Sequence, residues 1–438
     1  MRIRYRAGAF AAGLIVAQLS GLSPAAAATT YSFTPASASG RLGPNQSQVN
    51  TAYTGTTLAG SVTVNTQGIQ EWTAPSSGQY SILAVGAKGG GNNGGKGARL
   101  YGEFTITQGT VLKILVGQRG TASYNTSAGG GGGSFVWKSS DTSTPLIAAG
   151  GGGGQGGAGR AGVDGSITTS GTAGTTGATS DLSGAGGTNG NPGVTASVTN
   201  SWSAAAGAGW KGNSTTATTY SGDNPNFAYS PLNGGMGGMK FKNTVTTDCG
   251  DNSGGFGGGG GGGGSATVAP ASCSGAGDNG VGGGGGGYSG GGNGSNDSSA
   301  NRGAGGGGGS INNGTNQSAT ASFNAGDGYV TIIYMVDPVA TSVNLSISGN
   351  PNSVSKSTSV QLIVTVGAAG VVTFFANGKR IPGCISKQIS STFTCSWRPS
   401  VRGNIAITAQ LKPTDTSTYL TSKSINFNVG ITGRTNTR

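Results

Sequence analysis

Two uninterrupted glycine runs, Gly257–Gly264 and Gly282–Gly287, set the tightest limit on what this chain can become. They lie in a stretch from Gly89 to Val336 that holds 74 of the 92 glycines. Ordering that many glycines costs roughly 1–2 kcal/mol each, on the order of 100 kcal/mol together. Either a large cooperative interaction offsets this, or the stretch stays a flexible linker. One ordered arrangement suits bare main chain. A polyproline-II-like helix has about three residues per turn, rises ~3.1 Å per residue and points its N–H and C=O groups outward. Packed side by side, such helices satisfy one another's backbone groups, and close packing leaves no room for a Cβ. "GTAGTTG", Gly171 to Gly177, repeats with a period of three, as expected of a helix at the edge of such a bundle.

The apolar pieces between the runs argue for order. "GQYSILAVGAKG", "ARLYGEFTITQG", "TVLKILVGQRG", "SFVWK", "PLIAA" and "GDGYVTIIYMV" read as strands, several alternating with period two. Tyr80 to Val85 is apolar on both faces, as in a sandwich core. The last piece is expected to fold back onto the first, which makes the glycine stretch an insertion within one β-sandwich.

The chain opens with Arg2, Arg4 and Arg6, then an apolar stretch from Ala7 to Leu22, then Ala26, Ala27 and Ala28 before Thr29. This is the pattern of a secretory signal peptide. Residues 1–28 are therefore read as signal, 29–59 as an extended lead-in, 60–336 as the glycine-rich domain, 338–430 as a second β domain and 431–438 as a tail. The expected location is secreted or at the cell surface. No other stretch reaches the roughly 18 apolar residues of a spanning helix.

The formal net charge is +12 at pH 7, but it is unevenly placed. Ten basic residues against Asp415 alone follow Pro338, whereas the glycine-rich region is balanced. An exported chain rarely meets nucleic acid. The expected partner is an extracellular protein, a glycan or an anionic envelope polymer.

Four cysteines in an exported chain read as disulfides. Of the three possible pairings, proximity and the domain boundary favour Cys249–Cys273 and Cys384–Cys395. The second pair is close in sequence and is expected to staple one hairpin rather than to join two sheets. No metal or other cofactor is expected. Histidine is absent, there is no Cys-x-x-Cys, and Asp248, Asp251 and Asp278 match no calcium-loop spacing. Without histidine, Ser-His and Cys-His nucleophiles are excluded. The two glutamates, Glu71 and Glu103, fall in strand-like segments and make a poor carboxylate pair for glycoside chemistry. The chain reads as a non-enzyme.

The succession "GIQEWTAPSSGQYSILAVGAKGG", "GGKGARLYGEFTITQGTVLKILVGQRG", "GGGGGSFVW", "PLIAAGGGGG" and "GAGGGGGS…NAGDGYVTIIY" resembles the extracellular glycine-rich domain of the anaplastic lymphoma kinase and leukocyte tyrosine kinase receptors and its bacterial relatives. The resemblance covers Gly60 to Val336 and lies in the order and spacing of blocks. It implies an all-β fold: a tumour-necrosis-factor-like β-sandwich with an inserted polyglycine-II helix bundle. It brings no kinase, because no kinase motif is present, and no ligand-contact residue of the receptors can be matched to a position here.

After Pro338 the texture changes to Ser/Thr/Val alternation with turns, the pattern of an Ig-like β-sandwich. "GVVTFFANGKRIPGC" and "TYLTSKSINFNV" resemble bacterial Ig-like repeat domains of exported surface proteins, which implies a spacer. Asn377-Gly378 is a hairpin turn signal.

Two candidate sites follow. Trp202, Trp210, Tyr220, Phe227 and Tyr229, interleaved with Ser, Asn, Gly and Thr, have the mix of rigid rings and adaptable polar groups found in paratopes. Alternatively the rings plug gaps at the lattice edge. Lys379, Arg380, Lys387, Arg398 and Arg402 could form one basic patch for an anionic polymer, or simply solvated strand faces. The function expected is binding or adhesion by a rigid glycine-rich module on an Ig-like spacer. The alternative is a purely structural envelope or matrix component.

Overall fold

The computed structural model describes residues 28–123, 127–177, 182–196, 204–215, 227–239, 251–263, 280–295, 302–335, 339–348, 353–416 and 419–433. The signal-peptide reading of 1–28 therefore falls, save for Ala28, outside the described residues. The chain divides into two compact units, Ala28–Met335 and Val336–Arg438, and nearly all of its regular structure is strand.

The first unit contains β1 (Thr29–Phe33), α1 (Gln46–Ala52), β2 (Val62–Thr66), β3 (Ile69–Thr73), β4 (Gly78–Val85), β5 (Gly97–Ile106) and β6 (Val111–Leu115). The short β7 (Ala122–Ser123) and β8 (Ser127–Ala128) follow, then β9 (Ser134–Lys138), β10 (Ile147–Ala149), β11 (Ile311–Asn312), β12 (Thr315–Asn324) and β13 (Tyr329–Met335). They make a sandwich of two sheets, ordered β1-β13-β4-β5-β12 and β11-β10-β9-β6-β3-β2. Alternate residues of both sheets, among them Phe33, Trp72, Tyr80, Ile82, Leu112, Val136 and Ile332, fill the core between them. β13 returns antiparallel to β4, from Tyr329 opposite Val85 to Met335 opposite Gln79. The expected closure of the last strand on the first apolar piece is present.

The lead-in at 29–59 is not merely extended. β1 adds to β13, with Phe33 opposite Val330. Asn45 and Gln48 form a capping box at the start of α1, and Val49, Tyr53 and Leu58 enter the sandwich core. A helix of seven residues is too short for its periodicity to stand out in the sequence.

The glycine segments run on from strand ends: 86–90 from β4, 116–121 from β6, 150–156 from β10, while 128–133 leads into β9 and 302–309 into β11. They are buried, and their amides bond sideways in threes. The N–H groups of Gly282, Gly285 and Tyr288 donate to the carbonyls of Gly303, Gly306 and Gly309. Those of Gly283 and Gly286 reach Ala128 and Gly131, and those of Gly284 and Gly287 reach Ala205 and Ala208. Along the next segment, Gly151 and Gly154 reach Gly286 and Gly283, Gly152 and Gln155 reach Ala87 and Gly90, and Gly153 and Gly156 reach Val163 and Arg160. These two segments thus serve three neighbours in rotation, which answers the backbone accounting for a region with few side chains. The loose-linker alternative does not hold for these residues. A Cβ placed on Gly305 would collide with the Gly283 carbonyl, and one on Gly153 with the Gly305 carbonyl.

"GTAGTTG" shows where the lattice stops. Gly171 and Gly174 bond to Gly187 and Gly184, and Thr172 and Thr175 to Gly307 and Ala304. The third row, Ala173 and Thr176, is exposed. On the adjoining segment Leu182, Ala185 and Thr188 face out with the same period. Side chains begin where no further segment has to approach.

The insertion also covers the outer face of the six-stranded sheet. Phe256 and Trp210 join Ile69, Leu115, Phe135, Trp137 and Ala148 in a second apolar cluster.

The second unit is a further sandwich. β14 (Val339–Ala340) pairs with β23 (Tyr419–Leu420). One main sheet orders β15 (Val343–Ile347), β17 (Val360–Val366) and β21 (Thr392–Trp397). The other orders β16 (Ser353–Ser355), β25 (Phe427–Thr432), β22 (Gly403–Pro413), β18 (Gly370–Ala376) and β19 (Lys379–Arg380), with β20 (Lys387–Ile389) on β18 and β24 (Ser422–Lys423) on β22. Leu362, Val364, Phe374, Trp397, Ile407 and Leu411 fill its core. Asn377 and Gly378 turn the β18–β19 hairpin with φ of 46° and 77°, the left-handed values that a two-residue hairpin turn requires.

The Cys384–Cys395 bond is present, with Cα atoms 5.8 Å apart, but it does not staple one hairpin. Cys384 accepts the Phe374 N–H from β18, whereas Cys395 sits in β21 opposite Leu362 of β17. The bridge therefore joins the two sheets. The connection from β20 to β21 crosses between sheets in two residues, so a short sequence separation spans the sandwich. Cys249 and Cys273 lie outside the described residues.

Candidate recognition surface

The five aromatic candidates do not form one cluster. Trp202 and Tyr220 lie outside the described residues. Trp210 has to be withdrawn from any ligand-contact role: it is 1% exposed. Its ring stacks on Phe135 at 6.1 Å and meets Trp137 edge-on at 5.6 Å. Its indole N–H donates to the carbonyls of Thr142 and Ser143, both at 3.2 Å. A ring this large, entering from a glycine-rich loop, is what seals the outer sheet face against water.

Phe227 and Tyr229 are half-buried and lie against each other, ring centres 5.0 Å apart. Their loop is fixed on several sides. The Ser214 N–H donates to Ala228 O at 3.0 Å, the Ser230 N–H to Asn213 Oδ1 at 2.9 Å and the Tyr229 N–H to Met236 O at 2.8 Å. Pro231–Asn233 make a single 3₁₀ turn, and Gly234 and Gly235 reverse the chain with φ of 95° and 69°. The next residues enter the lattice, where the Gly238 N–H reaches Gly259 O and the Gly257 N–H reaches Gly235 O.

Beside this loop runs a residue that reading the sequence passed over, Arg41. The Gly237 N–H donates to its carbonyl at 3.0 Å, and its Nε donates to Gly237 O at 3.1 Å. Burial pulls its guanidinium below its ordinary value, partly offset by Tyr229 and Asp251. The Asp251 carboxylate accepts from the Ser253 N–H and hydroxyl at 2.9 and 2.5 Å rather than pairing with Arg41. Leu42, next to Arg41, and Leu232, at the loop tip, are each 40% exposed. The sequence signal was weak: one cation between glycines, "GRLG", in a segment read as lead-in.

The basic candidates separate as well. Lys379 and Arg380 on β19 and Lys387 on β20 share one edge of β18, opposite Ala376, Phe375 and Val372. Arg398 and Arg402 lie instead on the connection from β21 to β22. All but Lys387, which is half-buried, are exposed.

The two glutamates sit on different sheets. Glu71 on β3 pairs with Lys113 at 3.2 Å. Glu103 on β5 accepts from the Tyr101 hydroxyl at 2.9 Å and from Asn316 Nδ2 at 2.6 Å. Both carboxylates are engaged, and the two residues stand on separate layers of the sandwich. Among the described residues no group of three or more His, Cys, Asp or Glu could hold a metal, and no helix is long and apolar enough to cross a membrane.

No protein-family model matches the chain. A stretch of 97 residues is 40% identical to the leukocyte tyrosine kinase receptor of Mus musculus, covering 20% of this chain and 11% of the receptor. The match falls in the receptor's extracellular, non-catalytic part. With the disulfide, that likeness points to an extracellular or surface location and is compatible with an extracellular binding role.

Proposed function

We propose that this protein is a non-catalytic extracellular binding or adhesion module. In this reading residues 1–28 are a cleaved export leader. The first sandwich is tumour-necrosis-factor-like, its glycine segments form a polyglycine-II lattice, and an Ig-like second unit serves as spacer. The rotation of hydrogen-bond partners in threes supports the lattice reading, since a helix with three residues per turn sends successive amides to three different neighbours. The observation that carries the binding reading is the Phe227–Tyr229 pair, two partly exposed rings on a loop bonded into the lattice. Rings fixed before the partner arrives lose little conformational entropy on binding.

The test applies the labelled full chain to intact cells of the source organism, to purified envelope polymer and to a glycan array. Saturable binding that a Phe227→Ser/Tyr229→Ser variant loses at an unchanged melting temperature supports the reading. Equal binding by that variant removes this surface. Absence of saturable binding by the parent chain instead favours a structural envelope component, to which a rigid lattice is equally suited. Attachment of the second unit to an anionic polymer predicts salt-sensitive binding. It should fall in Lys379→Gln/Arg380→Gln/Lys387→Gln and persist in Arg398→Gln/Arg402→Gln.

A further inference from the structure

We propose that Arg41 is the charged anchor of a docking surface for a protein segment that presents a carboxylate between apolar side chains. The proposal deepens the binding reading above and rests on it. Three features of the surface define that occupant.

The first is an incompletely used guanidinium. Its Nε alone is committed among the described residues, to Gly237 O. Among the described residues no carboxylate lies within ion-pair distance of it. Asp251, whose negative charge acts on Arg41, is held by its own Ser253 turn. The two terminal nitrogens form a fork that fits both oxygens of a carboxylate at once. The second is preorganisation. Arg41 is strapped to Gly237 through both backbone and side chain, so its stem is placed before binding.

The third feature is the surroundings. Leu42 follows Arg41 on its own segment, Phe227, Tyr229, Leu232 and Met236 lie on the loop strapped to it through Gly237, and each keeps part of its surface open to solvent. Arginine, aromatic rings and methionine are the residue types enriched at protein interfaces, and Arg and Tyr recur among their hot spots. That carbon also decides between partner classes. Aliphatic and thioether side chains gain by covering one another from water, and a partner with apolar side chains offers such a cover. A uronic-acid polymer offers carboxylates but would lay hydroxyl groups on Leu42, Leu232 and Met236.

The test selects a phage-displayed random dodecapeptide library on the immobilised full chain and, in parallel, on Arg41→Ala and Arg41→Lys. The expected pool from the parent chain is enriched in Asp or Glu flanked by aromatic or aliphatic residues. Arg41→Ala should lose that enrichment. Arg41→Lys, which keeps the charge but not the fork, should bind the selected peptides about tenfold more weakly. Asp251→Asn should bind them more tightly, because it removes a competing negative charge. Unchanged melting curves show that the variants still fold.

Pools that do not differ between the parent chain and Arg41→Ala overturn the proposal, as does a parent pool without acidic enrichment. Polygalacturonate is the glycan arm. If it binds in an Arg41-dependent way and displaces the peptides, the occupant is a glycan and the proposal is wrong. If Phe227→Ser/Tyr229→Ser abolishes native-surface binding while Arg41→Ala leaves it intact, the binding reading stands and the Arg41 anchor alone falls.

Discussion

Replacing Gly305 with alanine tests the lattice most directly. Its N–H donates to Gly154 O at 2.9 Å, and its carbonyl accepts from the Val163 N–H at 2.9 Å. A methyl group there would run into the Gly283 carbonyl, which itself accepts the Gly154 N–H at 2.8 Å. Making room moves segment 282–287 off 302–309, which carries the Gly283 carbonyl away from the Gly154 N–H. Breaking the Gly154–Gly283 bond leaves one buried donor and one buried acceptor, at about 1–3 kcal/mol each. Overpacking adds about 1–3 kcal/mol. Alanine's smaller unfolded-state entropy returns roughly 0.4–1 kcal/mol. The balance is a loss of about 5 kcal/mol, a large share of the ~5–15 kcal/mol that holds a typical protein folded. Gly212 is the matched control, since a Cβ there would come no nearer than 3.6 Å, to Pro192 Cδ. Gly212→Ala should be neutral or stabilising by about 0.4–1 kcal/mol. Urea unfolding of both variants, with hydrogen exchange followed across 281–309, reads the difference. If Gly305→Ala unfolds within about 0.5 kcal/mol of the parent, the range of an ordinary surface change, the close-packed account of these segments is refuted.

Other expectations follow from the same packing. Trp210→Ala should cost about 3–5 kcal/mol by emptying the pocket over Phe135 and Trp137, measured by thermal and urea unfolding. Cys384→Ser/Cys395→Ser should destabilise the second unit by about 2–4 kcal/mol, read as faster hydrogen exchange in β21 and β22 with the first unit unchanged. Stability should fall at the alkaline end. Burial raises the phenols of Tyr53 and Tyr80 above their ordinary 10.0, so their contribution is full below pH 10.0 and is lost as pH climbs from there through the folded-state values. Tyr53→Phe should flatten that decline, at the cost of the hydroxyl's bond to Gln70 Oε1. Lys88, pulled below 10.5 by burial, acts in the opposite sense, so an alkaline decline that Lys88→Met leaves unsoftened fits the tyrosine account.

Much of the architecture was written in local pattern. Apolar patterning in "GQYSILAV" and "YVTIIYM" marked two central strands, and Asn377-Gly378 marked a hairpin, because apolar runs and left-handed φ are properties of a few consecutive residues. The three-residue period of "GTAGTTG" announced an edge segment for the same reason. The candidate surface was less legible. Phe227 and Tyr229 could be singled out by composition, but Trp210 belonged to the same composition and went into a core. Exposure of a ring depends on what covers it, and its cover is the outer face of a sheet made tens of residues earlier.

By itself the sequence narrowed the centre to two outcomes, segments without side chains held through their own amides or a flexible linker, and the strands between the runs favoured the first. Tertiary structure alone decided which segment faces which, that Cys384 and Cys395 join two sheets, and that Arg41 comes to lie against Gly237, 196 residues away. Those outcomes depend on register between distant segments, and glycines, identical to one another, carry no local mark of their partners.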